Sequence, residues 1–308
     1  MTRAVPGTVL AVDVGGTTVK SGRWTGIGSL LDPAATPTPG DRDPDGRAVL
    51  DLVARLVAES HAVHALDAVG LVVPGLVDEQ RGVARWSENL GWRDAAFRDQ
   101  VSERTGLPVA FGHDVRAGGL AESQVGAGAG HRSLVFLPIG TGIAAAVVVD
   151  GVTLSSDGFA GEIGHVDVGH SERCRCGLSG CLEALSSASA IARRYGDRAG
   201  HRVEGAAEVA ARAREGDQVA REVWSEALDG IALALAWTAS VLAPEVVVVG
   251  GGLARAGQEQ LFEPLQFRLA ERLSFQRVPE VVPAELGDQA GCYGAALLAW
   301  RELTGEGR

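Results

Sequence analysis

The sequence has few cysteines and no excess of basic residues, and each shortage excludes a class of protein. Its 308 residues include only four cysteines, too few for the disulfide framework of a small secreted domain. The formal net charge is -11 at pH 7, whereas nucleic-acid binding depends on basic patches that neutralise phosphates. We therefore expect no nucleic-acid partner.

Segments that would direct the chain into a membrane are also missing from the sequence pattern. No apolar run approaches the roughly 18 to 20 residues that a membrane helix needs. The amino-terminal residues lack the basic region, apolar core and cleavage site of a signal peptide. We expect a cytoplasmic protein without a membrane partner, and a chain of this length predicts about two globular domains.

Strand-like and helix-like segments alternate along the chain, which predicts an α/β fold. In the first part of the chain, the hydrophobic pattern predicts strands at 8–14, 18–24, 66–73 and 108–111, and helices at 48–62 and 94–105. The pattern then begins again with strands at 133–137 and 144–149. We therefore predict two structurally similar halves.

Each predicted half opens with a strand that runs into a Gly/Thr turn. These turns lie in "AVDVGGTTVKSG" (11–22) and "FLPIGTGIAAAV" (136–147). Glycine lets backbone N–H groups approach an anion, and threonine offers a hydroxyl to a phosphate or a metal-bound water. A third glycine cluster, at 250–252, follows the apolar strand 246–249, where a backbone can pack against a nucleotide. The three clusters predict a polyphosphate site, although the P-loop and Rossmann motifs are absent.

Three of the four cysteines lie within eight residues, and this cluster predicts a metal site. Cys174, Cys176 and Cys181 would form a tetrahedral Cys₃His zinc site with one histidine, either His165 or His170. The alternative is a cluster of free thiols, since a redox pair would more usually read C-x-x-C. The remaining Cys292 is expected to be a packed core residue on a helix.

Seven motifs in a fixed order resemble the ROK family (repressors, open reading frames, kinases), with similarity to its bacterial glucokinases. The resemblance covers nearly the whole chain. The motifs are "DVGGTTVKSG", "ENLGW", "HDVRAGGLAE", "PIGTGI", "AGEIGH", "CRCGLSGCLE" and "VVVVGGGLA".

This resemblance implies a two-domain actin-like ATPase (ribonuclease H-like) fold with an interdomain cleft. Residues 1–116 and 291–308 would form the amino-terminal lobe, and residues 117–290 the carboxy-terminal lobe. The implied activity is transfer of the ATP γ-phosphate to a hydroxyl of a hexose, with glucose as the first expectation. The implied assembly is a homodimer or homotetramer.

The resemblance also assigns residues to the reaction. Asp114 would be the general base that accepts the proton of the sugar hydroxyl; from sequence alone it could equally be a helix N-cap. Asp13 would hold Mg²⁺ through water. The residues expected to bind ATP are Gly15, Gly16, Thr17, Thr18, Gly140, Thr141, Gly142, Gly250, Gly251 and Gly252. Those expected to bind the sugar are Asn89, His113, Asp114, Glu162, His165 and Glu183.

Two histidines of the motifs, His165 and His113, affect what the site is expected to bind. The resemblance favours His165 over His170 as the fourth zinc ligand, so that a structural zinc would orient its ring toward the sugar. The family usually has asparagine where this chain has His113, which leaves an N-acetylhexosamine or a sugar-like cyclitol open as the substrate.

Two other functions compete with that of a sugar kinase. A non-catalytic sugar sensor would need neither Asp114 nor the phosphate loops, yet all are present. A repressor would carry an amino-terminal helix-turn-helix domain, and only about seven residues precede the first predicted strand. We therefore expect an enzyme.

Overall fold

The computed structural model describes residues 7–26, 28–40 and 43–305, which divide into two compact units. Unit 1 contains the chain up to Ala121, the segment Ser155–Phe159 and the chain from Gln289 onward. Unit 2 contains Glu122–Leu154 and Ala160–Asp288. The boundaries expected at residues 116 and 291 lie near those of unit 1, whereas residues 155–159, expected in the second lobe, belong to unit 1.

The described residues form thirteen strands and nine α-helices. The strands are β1 (Val9–Val14), β2 (Thr18–Trp24), β3 (Leu31–Pro37), β4 (Ala68–Val73), β5 (Leu76–Asp78), β6 (Val83–Trp86), β7 (Arg93–Ala95), β8 (Val109–His113), β9 (Leu134–Pro138), β10 (Ala146–Val149), β11 (Val152–Thr153), β12 (Val246–Gly250) and β13 (Glu280–Pro283). The helices are α1 (Arg47–Val63), α2 (Phe97–Thr105), α3 (Asp114–Val125), α4 (Leu182–Ser186), α5 (Ala188–Ala199), α6 (Ala206–Glu215), α7 (Gln218–Leu242), α8 (Glu263–Glu271) and α9 (Ala290–Thr304).

The two units are built on sheets with the same topology. Unit 1 has the order β3-β2-β1-β4-β8, and unit 2 has the order β11-β10-β9-β12-β13. In both sheets the first three strands of the unit pair antiparallel, and the next two are parallel to the first. The prediction of two similar halves is therefore confirmed.

Hydrophobic patterning explains how unit 1 covers its sheet. Helix α1 buries Val49, Leu50, Leu52, Val53 and Val57, which share one face at helical spacing. They join one core with residues of α2 and of alternate positions along the strands. The helix predicted at 48–62 is thus confirmed, with each end within one residue.

Helix α9 packs on β1, β4 and β8 from the end of the chain. Its approach to β4 is so close that a Cβ built on Gly70 would lie 1.9 Å from the carbonyl oxygen of Ala295. Cys292 is buried in this helix with 2% of its surface exposed. This confirms the prediction that Cys292 is a core residue.

Helix α7 is the central helix of unit 2 and packs against α4, α5, α6 and α8. Among the described helices it alone has the length and apolar composition that a membrane span needs, although 56% of its apolar window is buried within the structure. Such burial is typical of a core helix. No continuous apolar run of this length is visible in the sequence of α7, because polar residues interrupt the apolar ones along the helix.

We predict that Gly70→Ala destabilises unit 1, because the added methyl group would collide with the backbone of α9. Overpacking of this kind typically costs about 1–3 kcal/mol, which urea denaturation would measure. Gly40→Ala is the matched control in the same unit, since a Cβ built there has no atom within 4 Å. Equal stability losses in the two variants would contradict the prediction.

Candidate active site

The first glycine loop of unit 1 is the turn between β1 and β2, and it is held by backbone contacts. The N–H of Gly15 donates to the carbonyl of Thr18 at 3.0 Å, and a Cβ on Gly15 would lie 2.8 Å from that oxygen. Thr38 donates from its hydroxyl to the Gly15 carbonyl at 2.7 Å and from its N–H to the Thr17 carbonyl at 3.0 Å. Gly16 is exposed at the tip.

Asp13 and Asp114 lie at the same edge of the unit 1 sheet. Asp13 is in register with Val72 of β4, and Val72 with Gly112 of β8, two residues before Asp114. Carboxyl ends of parallel strands gather ligands at such an edge. The Asp13 carboxylate also lies at the amino end of α9, since a Cβ on Gly291 would be 2.4 Å from its Oδ2. A negative charge is electrostatically favoured at that helix end.

Asp114 is the first residue of α3, directly after β8. Its Oδ1 accepts a hydrogen bond from the N–H of Val115 at 2.7 Å and lies 3.4 Å from Nε2 of His113. The side chain is 25% exposed, so it is open to solvent on one side. Asn89, also in unit 1, is exposed in the turn between β6 and β7.

The second glycine loop and the third glycine cluster lie side by side in unit 2. The N–H of Ile139 donates to the Gly250 carbonyl at 3.0 Å, and the N–H of Leu253 donates to the Ile139 carbonyl at 3.1 Å. Gly251 has φ +75, and a Cβ there would be 2.5 Å from the Ile139 oxygen, so only glycine fits. The structure thus joins two clusters that are about 110 residues apart in sequence.

The loop at Gly140–Gly142 is anchored by the helices that follow the cysteine cluster. The Gly140 carbonyl accepts the N–H of Ala188 at 2.8 Å, and the Thr141 carbonyl accepts the hydroxyl of Ser189 at 2.7 Å. Glu183 also contributes, because its Oε2 accepts the N–H of Ile143 at 2.9 Å. This loop-holding contact of Glu183 was not anticipated from sequence.

Glu162 and His165 lie beside the end of the second glycine loop, because Gly161 and Gly164 let their backbone approach it closely. A Cβ on Gly161 would be 1.9 Å from the Ala145 carbonyl, and one on Gly164 would be 2.1 Å from the Ile143 carbonyl. Oε2 of Glu162 lies 3.9 Å from Nε2 of His165. The two side chains therefore face each other next to the second glycine loop.

The cysteine cluster gathers around His165. One ligand atom from each of His165, Cys174, Cys176 and Cys181 lies within 4.8 Å of all the others. Nδ1 of His165 is 3.7 Å from Sγ of Cys174, and the sulfurs of Cys176 and Cys181 are 3.6 Å apart. A tetrahedral zinc ion with bonds of about 2.0–2.3 Å places its ligands roughly 3.4–3.8 Å apart. The four residues therefore fit a zinc ion.

The surroundings of the three thiols shift their pKa values in different directions. Burial raises the pKa of Cys174, and burial together with the neighbouring thiols raises the pKa of Cys181 to about 12. A backbone hydrogen bond from Leu178 lowers the pKa of Cys176. A divalent cation would supply the positive charge that favours the thiolate forms.

His170 is occupied elsewhere in the loop. Its Nδ1 accepts the N–H of Glu172 at 3.0 Å, which leaves Nε2 protonated and able to donate to the Cys181 carbonyl, 3.0 Å away. Both ring nitrogens are therefore used to brace the cysteine loop. Of the two histidines left open from sequence, the structure brings His165 to the sulfurs.

Three further residues, of which two lie in a motif, have structural tasks that the sequence did not reveal. Glu79 accepts hydrogen bonds from the N–H of His113 at 3.2 Å and from Nε of Arg116 at 2.9 Å. Glu122 is completely buried, and its carboxylate accepts the N–H groups of Ala127 and Leu286, each at 2.9 Å. Only the motif "HDVRAGGLAE" pointed to two of these residues, Arg116 and Glu122.

Comparison with known proteins identifies the family of this chain. The ROK family model matches residues 9–302. A glucokinase of Thermotoga maritima is 34% identical, covering 96% of this chain and 98% of its own.

Solved structures of the same family have the same fold. The ROK hexokinase from Thermus thermophilus is 33% identical with a TM-score of 0.85, covering 97% of this chain and 99% of its own. A ROK glucokinase from Streptomyces griseus, solved with glucose and AMPPNP, is 30% identical with a TM-score of 0.82. The match covers 95% of this chain and 99% of the glucokinase chain. The predicted actin-like ATPase fold class is confirmed. The chain is a member of the ROK family.

Proposed function

We propose that this protein is an ATP-dependent glucokinase that uses Asp114 as its general base. The observation that carries the proposal is the position of Asp114 at the carboxyl edge of the parallel strands of unit 1. Its carboxylate is partly exposed there, and the described residues make hydrogen-bond contacts only to Oδ1. Oδ2 is available to take a proton.

The reaction follows from this geometry. The sugar hydroxyl attacks the γ-phosphorus of ATP, its proton passes to the Asp114 carboxylate, and the bond from phosphorus to the β-γ bridging oxygen breaks to release ADP. Phosphoryl transfer depends mainly on positioning and on charge stabilisation. A carboxylate beside the attacking oxygen aligns it and raises its nucleophilicity as the proton leaves.

The nucleotide would be held by the glycine loops. The loops Gly15–Thr18 and Gly140–Gly142 suit phosphate oxygens through their backbone N–H groups, except those of Gly15 and Gly140, which donate within the loops. The segment Gly250–Gly252 suits the adenosine. The contacts between Ile139 and Gly250 support this, because they place the last two segments together. Asp13 would bind Mg²⁺ through water.

The sugar would be bound by Glu162, His165 and Glu183, with Asn89 as a further ligand. The face-to-face position of Glu162 and His165 supports a shared site for neighbouring hydroxyls. Because one oxygen of Glu183 accepts the Ile143 N–H, its other oxygen would receive a sugar hydroxyl.

We propose that the protein acts in the cytoplasm.

A structural zinc ion would be held by His165, Cys174, Cys176 and Cys181. Its role is to lock the loop and the ring of His165, whose Nε2 faces Glu162. Glucose binding would then depend on the metal, although the metal takes no part in phosphoryl transfer.

The activity test is a kinase assay with hexoses, N-acetylhexosamines and cyclitols. We predict the highest kcat/KM for glucose, and a kcat that falls about 100- to 10,000-fold in Asp114→Asn, because proton acceptance is lost. Asp150→Asn, at an exposed turn, is the control and should match the wild type. A kcat of Asp114→Asn within threefold of the wild-type value would exclude this residue as the base. Absence of phosphorylation of every sugar and cyclitol tested would exclude the kinase activity.

The zinc proposal predicts about one zinc ion per purified chain. Cys181→Ser should lose most of the metal, lower the melting temperature and raise the KM for glucose, because the loop that carries His165 loosens. Cys292→Ser, which alters a buried cysteine in α9, is the matched control and should keep its zinc. Equal zinc contents in the two variants, measured by mass spectrometry of the metal, would contradict the site.

We also propose that the protein is a homodimer or homotetramer through an apolar patch on unit 2. Trp237 and Val241 share one face of α7 and are 61% and 76% exposed, and Phe275 is 90% exposed. A hydrogen bond of 3.3 Å from Gln276 to Ser240 ties the Phe275 segment to the end of α7. A self-complementary patch of this kind suits a symmetric interface.

Light scattering should therefore show more than one chain per particle. Trp237→Asp combined with Val241→Glu should reduce the number of chains, because buried carboxylates would destabilise the interface. Val63→Glu, at a 73% exposed valine of unit 1, is the control and should leave the assembly unchanged. A wild type that is monomeric at micromolar concentration would refute this patch as an interface.

A further inference from the structure

The ring of His113 is fully engaged within unit 1. It is buried at the end of β8, with 7% of the residue exposed. The backbone N–H of Arg116 donates to Nδ1 at 3.3 Å, and Nε2 lies 3.4 Å from Oδ1 of Asp114. A backbone N–H can only donate, so Nδ1 is an acceptor and the proton of the neutral ring is on Nε2. The Nε2–H group is therefore on the side of the ring that lies 3.4 Å from the carboxylate of Asp114.

An ion pair between the buried Arg116 and the partly exposed Glu79 fixes this arrangement. One oxygen of Glu79 accepts both the N–H of His113, at 3.2 Å, and Nε of Arg116, at 2.9 Å. The Arg116 side chain is only 4% exposed, and its Nη1 donates to the Gly158 carbonyl at 3.3 Å. The backbone of His113 and the residue that donates to its ring are thus tied to one carboxylate oxygen.

The electrostatic surroundings keep the ring neutral. Burial is the largest influence and lowers the pKa of His113, while the charges of Asp114 and Glu79 raise it and that of Arg116 lowers it. The α9 residue that approaches this strand end is the apolar Leu298, next to Gly112. A protonated Nδ1 would also confront the Arg116 N–H, donor against donor.

The ring makes the two oxygens of Asp114 unequal. Oδ1 accepts the N–H of Val115 at 2.7 Å and has Nε2 of His113 at a distance of 3.4 Å. The described residues give Oδ2 no hydrogen-bond donor. The carboxylate is therefore held by one oxygen, and the other is free to accept the substrate proton.

We propose that His113 is a positioning residue for the catalytic base: it holds the Asp114 carboxylate through Nε2–H and does not itself bind the sugar. Glu79 and Arg116 fix the ring in the tautomer that this task requires. The inference rests on the proposed role of Asp114 as the base. It assigns His113 a different role from the sugar contact expected from the sequence.

The kinetic test compares wild type, His113→Phe and His113→Asn. Phenylalanine fills the space without either nitrogen, so kcat should fall about 10- to 100-fold, while the KM for the sugar stays within twofold. Asparagine keeps an N–H donor and should restore part of the lost kcat.

The matched control is His61→Phe. Its ring also accepts a backbone N–H, from Leu66 at 3.1 Å, but it lies at the end of α1. It should leave kcat unchanged. A tenfold rise in sugar KM in His113→Phe with kcat retained would show a direct sugar contact and overturn the inference. Equal losses of kcat in folded His113→Phe and His113→Asn proteins would leave only a packing role and also overturn it.

A second measurement does not depend on activity. Nitrogen-15 NMR of histidine-labelled protein at neutral pH should show His113 with Nδ1 unprotonated and Nε2 protonated, and Asp114→Asn should shift the Nε2 signal. The His113 ring signals are assigned by their absence from the spectrum of His113→Asn. This assignment does not require the His113→Phe variant to fold. The opposite tautomer, or a signal indifferent to Asp114→Asn, would refute the inference. A protein with this tautomer but no kinase activity would refute the proposed function instead.

Discussion

Parallel pairing of the strands is the constraint on which the candidate site depends. Because β1, β4 and β8 run in the same direction, Asp13 and Asp114 arrive at one sheet edge from positions about 100 residues apart in sequence. Unit 2 repeats the same pairing with β9 and β12, which brings its two glycine segments together. Each unit thus delivers a glycine loop at the carboxyl end of its first strand.

Buried and half-buried glutamates then hold these edges in shape. Glu79 ties the end of β8 to Arg116, and Glu183 holds the end of the second glycine loop through the Ile143 N–H. Glu122 joins the carboxyl end of α3 to the segment before α9 through the N–H of Leu286. Hydrogen bonds from backbone N–H groups to a carboxylate are charge-assisted and therefore fix the backbone strongly. Loops that would otherwise be mobile are held in place.

The cysteine loop adds a second means of fixing geometry. Its hydrogen bonds already bend the chain so that three sulfurs face Nδ1 of His165, while His170 braces the turn from the other side. The other nitrogen of His165 then faces Glu162. A metal at this point would act on the sugar site only through the orientation of that ring.

Much of the fold was predictable because it depends on local patterns. Alternating apolar residues and Gly/Thr turns predicted the leading hairpin of each half, and the helical spacing of Val49, Val53 and Val57 predicted α1. Strand β3 was not predicted, because it contains two prolines and no alternation of apolar and polar residues, and most of it is exposed. Its pairing with β2 creates a strand that its own sequence does not indicate.

The sequence by itself determined the residue types of the site: the carboxylates, the glycine loops and the three-cysteine spacing, since each motif is contiguous along the chain. Only the tertiary structure decided which of them meet and in what state. It brought His165 to the cysteine sulfurs and His170 to backbone groups of the cysteine loop. It also brought Glu183 to the N–H of Ile143, at the end of the second glycine loop. It also turned the ring of His113 toward Asp114. These outcomes depend on hydrogen bonds between residues distant in sequence, such as Glu79 with Arg116, and no local pattern encodes the partner of a buried polar group.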